Sequence, residues 1–157
     1  MSAPSLVQQA LNDALDDEYK ARATYAAVID RFGPVRPFVT IIQSEQRHIV
    51  ALQNLLRQRG WPIPDDPYGG KIAAPASLEE ACAQGAAAEL ANGALYERLG
   101  AQAADDPEVL AVFANLRRAS QERHLAAFQR GGCTDQESCG HGRGRGPAHR
   151  HGPGAAC

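Results

Sequence analysis

The segment Ser44-Glu45-Gln46-Arg47-His48-Ile49-Val50-Ala51-Leu52-Gln53 returns as Ser120-Gln121-Glu122-Arg123-His124-Leu125-Ala126-Ala127-Phe128-Gln129. The offset is 76 residues, and five of the ten positions are identical. Each copy sits in an apolar pattern of helical period. The stripe of the first is Phe38, Ile41, Ile42, Ile49, Leu52, Leu55 and Leu56, and that of the second is Val109, Val112, Phe113, Leu116, Leu125 and Phe128. Another helical stretch precedes each copy. The earlier runs from about Ser5 to Phe32, with Leu11, Ala14, Leu15, Tyr25, Val28, Ile29 and Phe32 on one face and Gly33-Pro34 at its end. The later starts after Ser77, with Glu80 placed for a capping box and a stripe of Leu78, Cys82, Tyr96 and Leu99. Glu18 precedes Tyr25 by seven residues, as Glu89 precedes Tyr96. The chain therefore reads as two helix hairpins related by a pseudo-two-fold axis.

The connections fix how the hairpins combine. Within each hairpin the loop is short, so its two helices lie antiparallel. Asp105 and Asp106 followed by Pro107 mark the start of the fourth helix. Between the hairpins, Gly60 to Ala76 spans 17 residues rich in Pro and Gly. Such a chain, extended, covers about 55 Å, and the first helix is about 40 Å long. The expectation is an all-α fold, an antiparallel four-helix bundle made of two hairpins joined by one long crossover, the ferritin-like connectivity. Residues 1–130 form this bundle. Residues 131–157 contain no Leu, Ile, Val, Phe, Tyr or Trp, and hold 8 of the 15 Gly. They cannot bury enough apolar surface to offset ordering entropy, so this Gly/Cys/His-rich tail is expected to be disordered.

Composition excludes several classes. Sixteen basic against eighteen acidic residues give a net charge of −2, which removes a simple electrostatic nucleic-acid binder. Abundant Ala with only 6% aromatics disfavours a β-sandwich or barrel. No apolar run approaches the ~20 residues of a membrane span. The N-terminus lacks the pattern of a secretory signal, so a cytoplasmic location is the expectation. Three of the four Cys fall in the tail, which argues against a disulfide scaffold. Cys82 then reads as a buried, inert thiol, and Trp61 as a plug at one end of the bundle.

The informative residues are charges on the apolar stripes. Glu18 lies in the middle of the first helix's face, Glu45 and His48 interrupt the second, Glu89 the third and His124 the fourth. Asp13, Asp16 and Asp17 fall off the stripe and read as solvated. Burying ionised groups without partners costs several kcal/mol. A cation offsets that cost by coordination, and carboxylate with imidazole suits iron, manganese or zinc. Glu45-x-x-His48 puts two ligands on one helical face, one turn apart. Gly85 and Gly93 flank Glu89 at one-turn spacing, and Ser120 precedes His124 by four. These small residues are expected to leave room for an ion and a diatomic ligand. The metal-free alternative is that the buried acids pair with Arg22 or Arg117, both near the same stripes. Tyr25 and Tyr96 are core residues, or hydrogen-bond donors to the ligands.

At these residues the chain resembles the ferritin-like di-iron carboxylate superfamily, closest to a branch catalogued only as a domain of unknown function. The resemblance spans roughly residues 8–130. That superfamily carries one Glu on each of two helices and a Glu-x-x-His on each of the other two. Carried over, the metal ligands are Glu18, Glu89, Glu45, His48 and His124. Gln121 stands where the second motif has Glu, so the resemblance implies at most a weak ligand there and one missing carboxylate. Glu122 precedes His124 by two residues, about 200° around a helix, and should point away. The expected outcomes are a mononuclear ion on Glu18, Glu45 and His48, or a pair completed by Glu89, His124 and water. Gln121→Glu should then tighten the second site. The tail residues Cys133, Cys139, His141, His149, His151 and Cys157 lack the paired spacing of a rubredoxin-type centre, so any electron donor would be external.

The function implied is iron-based oxidoreductase-type chemistry with O2 or peroxide. The alternatives are a non-catalytic metal-buffering or stress-related bundle, and a metal-free interaction bundle. Metal ions are the expected partners, with no nucleic acid and no membrane; a homo-oligomer is compatible with the pattern.

Overall fold

The computed structural model describes residues 3–130 and Cys133. Helix α1 spans Leu6–Phe32, α2 Phe38–Gln58, α3 Leu78–Gln102 and α4 Pro107–Arg118. A π-helical segment, Ala119–His124, continues α4 directly into α5, Leu125–Gln129. No strand occurs among the described residues. The fourth helix expected from sequence is thus broken into three pieces in one line. The expected disordered tail falls on residues 131–132 and 134–157, outside the described residues.

The helix ends follow the capping chemistry of the sequence. Ser5 Oγ accepts from the Gln8 amide, Ser77 Oγ from the Glu80 amide, and Asp106 Oδ1 from the Val109 amide. Each oxygen satisfies a backbone donor that lacks an intrahelical partner. Glu80 reaches back to the Ala76 amide, one residue before the cap. Gly33, at φ 85°, ends α1 with its N–H on the Ile29 carbonyl, in a backbone region that disfavours other residues.

Cross-contacts give the helix directions. Tyr25 meets Glu89 and Tyr96 meets Glu18, so α1 and α3 run antiparallel. Arg59 meets Asp106 and Glu45 meets His124, so α2 and the α4–α5 helix also run antiparallel. The connection after α2 tracks α1 toward its C-terminal end. Tyr19 donates to the Pro64 carbonyl, Arg22 pairs with Asp66, and Arg31 donates to the Ala76 carbonyl. Trp61 packs on the adjoining core, with the Arg59 guanidinium 6.0 Å from its ring centroid.

Two apolar clusters fill the interior. One holds Leu11, Leu15, Leu52, Leu56, Leu99 and Phe113. The other holds Tyr25, Val28, Phe38, Ile41 and Phe128. Tyr25, Phe38 and Phe128 form an aromatic trio with centroids 5.3–5.8 Å apart, within the range of favourable edge contacts. The charged residues of the stripes lie between the two clusters, where water is excluded from both ends.

Two expectations about small and sulfur-bearing residues are corrected here. A Cβ on Gly85 would stand 2.6 Å from the Phe128 ring, and one on Gly93 would collide with the Gln121 amide. These glycines let α3 accept side chains of the fourth helix, and Gly85 also lines the cavity beside Glu18, Glu45 and Glu89. Cys82 is not an inert thiol. It forms a disulfide with Cys133, Cα–Cα 6.4 Å, which ties α3 to the chain just beyond α5.

Candidate metal centre

Four helices each deliver side chains to one buried point. Glu18 comes from α1, Glu45 and His48 from α2, Glu89 from α3, and His124 from the last residue of the π segment. Their relative exposures are 1, 2, 7, 3 and 4%, so none is a solvated surface charge. The structure brings all five together as two sets, Glu18–Glu45–His48 and Glu45–Glu89–His124, with the ligand atoms of each set within 4.8 Å of one another.

Glu45 belongs to both sets, and its two oxygens divide between them. Oε2 lies 3.0 Å from His48 Nδ1, and Oε1 lies 3.2 Å from His124 Nδ1. Glu18 Oε2 is 3.3 Å from His48 Nδ1, and Glu89 Oε2 is 3.4 Å from His124 Nδ1. The imidazoles stack with centroids 5.6 Å apart. The outer carboxylates each use their other oxygen for a tyrosine. Tyr96 Oη donates to Glu18 Oε1 at 2.6 Å, and Tyr25 Oη donates to Glu89 Oε1 at 2.7 Å. Each tyrosine thus serves the glutamate of the neighbouring helix, which its own helical spacing did not reveal. Ser44 Oγ, 3.5 Å from His48 Nε2, steadies the far side of that ring.

The donor set fits a metal ion. Ligand atoms about 2.1 Å from one ion, at octahedral or tetrahedral angles, stand about 3.0–3.4 Å apart. The four imidazole–carboxylate distances fall in that range, longer than the about 2.7–2.9 Å of a charge-assisted hydrogen bond. His124 Nδ1 is buried with no aligned hydrogen-bond partner among the described residues. Among the described residues the two candidate arginines are engaged elsewhere: Arg22 pairs with Asp66 and Arg117 with Glu97. Among the described residues, none of the three buried glutamates meets an Arg or Lys.

Electrostatics within the cluster are unusual. Burial pushes the Glu18 carboxyl up to about 8, and the Glu45 charge adds to the push. Burial also opposes ionisation of Glu45, but the imidazoles of His124 and His48 outweigh it and hold that carboxyl at about 2. Burial disfavours protonated imidazole, yet Glu18 and Glu45 raise His48 to about 9, and Glu45 and Glu89 raise His124 to about 9. At neutral pH without an ion, the cluster therefore holds protons on Glu18, His48 and His124. Tyr25 and Tyr96 are pushed well above the ordinary phenol range by burial and by the adjoining carboxylates, so both remain donors.

Gln121 is not a member of either set. Its amide nitrogen donates to the Glu89 backbone carbonyl at 2.8 Å, and its side chain lies over Gly93. The expectation of a weak ligand at Gln121 is replaced by a bolt between the π segment and α3. Glu122 is exposed.

Asp17 corrects a further expectation. It is half-buried, accepts from Asn92 Nδ2 at 2.8 Å, and has its carboxyl raised chiefly by burial. Asp17 and Asn92 line a cavity of about 190 Å³ between α1 and α3, whose wall includes Glu18, Tyr25, Glu45 and Glu89. Sequence spacing placed Asp17 off the apolar face, and only its adjacency to Glu18 hinted at this role.

No helix among the described residues is long and apolar enough to cross a membrane. No family model matches the chain, and no curated protein matches it. Among solved structures, the chain is similar to a hypothetical protein from Methanococcus jannaschii. The likeness has a TM-score of 0.70 at 22% sequence identity, over 83% of this chain and 81% of that one. At that identity it is a likeness of fold.

Proposed function

We propose that this chain is a ferritin-like metal-binding protein whose core cluster holds iron and supports oxidoreductase-type chemistry with O2 or peroxide. The observation that carries the reading is Glu45, which turns one oxygen to each imidazole. Glu18, Glu45 and His48 would hold one ion, and Glu89, His124 and the same Glu45 a second. Sharing Glu45 gives the second set three protein ligands without a carboxylate at position 121. The directions of the helices and the path of the long connection along α1 support the ferritin-like arrangement. Mixed imidazole and carboxylate donors suit iron, with manganese and zinc as competitors.

Bound iron would supply the electron-transfer steps that O2 or peroxide reduction requires. The chain's own residues prepare the place for it. Tyr96 and Tyr25 fix the outer oxygens of Glu18 and Glu89, leaving one oxygen of each turned inward. The two apolar clusters exclude water from both ends of the site. The cavity beside Asp17 and Asn92 is wide enough for a diatomic molecule or water and too small for a large substrate. Electrons beyond those stored on the ions would come from an external donor.

The test begins with protein purified without chelator. Elemental analysis should find iron, manganese or zinc, and ferrous addition under O2 or peroxide should give turnover that Glu45→Ala abolishes. Failure of all three metals to bind, in titration of the intact chain, would overturn the reading. Stoichiometric binding without turnover would leave the metal-buffering alternative in its place.

A further inference from the structure

A second cavity, about 400 Å³, opens on the opposite flank of the bundle, between α2 and the α4–α5 helix. Its lining includes four exposed arginines, Arg36, Arg47, Arg123 and Arg130, and no Asp or Glu. Among the described residues none of these four forms an ion pair or a side-chain hydrogen bond. Several other arginines are engaged: Arg22 with Asp66, Arg59 with Asp106 and Glu108, Arg117 with Glu97. Four arginines without an ion-pair partner among the described residues thus surround one hollow, in a chain whose net charge is −2. Positive charge gathered on one wall raises the local concentration of anions and favours their entry.

The chemistry of the wall names the class of ligand. Guanidinium groups present a planar fork of donors that matches the paired oxygens of carboxylate and phosphate. Ser44, largely buried, adds a hydroxyl to the same wall, and Ile41 and Ala127 add apolar surface. The volume is within the range of small-molecule sites. His124 lines the cavity too. Its Nδ1 faces Glu45 and Glu89, so the ring is a wall common to this cavity and the carboxylate cluster.

We propose that this cavity is a binding site for a small organic or inorganic oxyanion, phosphate- or carboxylate-bearing, gripped by Arg47 and Arg123 from facing helices and closed in by Arg36 and Arg130. A bound anion lies against His124 on the side away from the α1–α3 cavity. The site is independent of which metal the core holds, and it stands or falls separately from the iron reading.

Calorimetric titration of the full-length protein, as purified, with pyrophosphate and in a parallel arm with succinate tests the assignment. At least one arm should show saturable 1:1 binding that weakens as ionic strength rises. Arg47→Ala and Arg123→Ala should each weaken it about tenfold, whereas Arg117→Ala, on another face, should leave it unchanged. Metal content and the circular dichroism spectrum of the variants should match the parent, separating loss of the anion site from loss of the core. Absence of binding in both arms, or equal weakening by Arg117→Ala, would overturn the proposal.

Discussion

Metal loading of the core should be a proton-release reaction. Without an ion, Glu18 titrates at about 8 and both imidazoles at about 9. At pH 7 an ion entering the Glu18–Glu45–His48 set must displace about two protons, one from Glu18 and one from His48. A second ion must displace about one more, from His124. Apparent affinity for the first ion should therefore rise about a hundredfold per pH unit below pH 8. The metal-free protein should show the opposite trend in stability. Groups whose folded pKa is raised contribute stability that is present below the unfolded value and lost as pH rises through the folded one. For Glu18 that window runs from 4.5 to about 8, and for each histidine from 6.5 to about 9. A displacement of that size is worth roughly 3 kcal/mol per imidazole. Zinc, redox-silent, is a suitable probe: protons released into unbuffered solution are counted with an indicator dye, and Kd is measured by chelator competition at pH 6, 7 and 8. Release of less than one proton per zinc at pH 7, together with a flat Kd, would refute the assignment of protons to these ligands. So would a metal-free melting temperature that rises from pH 6.5 to 9.

Three further outcomes follow from contacts around the centre. Tyr96→Phe removes the donor to Glu18 Oε1 and should weaken metal binding about tenfold, read by the same competition assay. Gln121→Glu replaces a donor with a carboxylate facing the Glu89 carbonyl; contrary to the sequence expectation, it should lower stability by about 1–3 kcal/mol in a denaturation curve and leave the second metal equivalent no tighter. Cys133→Ser opens a covalent link across 51 residues and should cost about 2–4 kcal/mol in thermal unfolding under oxidising conditions. Deleting the chain after Arg130 should cost the same, and a reductant should erase both differences.

The helical fold was legible because its signals are local. Ser5, Ser77 and Asp106 announce helix starts, Gly33 and Gly60 announce ends, and the apolar period says which face turns inward. The candidate site was legible for the same reason: Glu18, Glu45, His48, Glu89 and His124 break an apolar stripe, and a charge on that stripe must be compensated inside. What periodicity could not supply was distance between helices. It could not tell that Gly85 receives Phe128 or that Gly93 receives Gln121, since a glycine that leaves a hollow and one that admits a neighbour look alike. Nor could it pair Cys82 with Cys133, because Cys133 stands in a stretch with no helical pattern. Helical angle alone turns Asp17 toward solvent, whereas in the fold it is half-buried and accepts from Asn92 of α3.

The π segment accounts for the sharpest departure from the repeat. In an unbroken α-helix, residues three apart share a face, as Glu45 and His48 do. In Ala119–His124 the bonding shifts to i→i+5, and the Leu125 amide reaches back to the Ser120 carbonyl. More residues then occupy each turn than the 3.6 of an α-helix, and position 121 no longer falls beneath His124. Gln121 is carried sideways onto α3, where its amide meets the Glu89 carbonyl and its bulk requires Gly93. His124 stays on the inner face opposite His48. The second copy of the motif thus keeps its imidazole and gives up its glutamate position for a helix-to-helix contact, and Glu45 serves both halves. The departure from Glu to Gln is matched by a backbone change in the same turn, so a carboxylate returned to position 121 with the π segment still in place would not become a ligand.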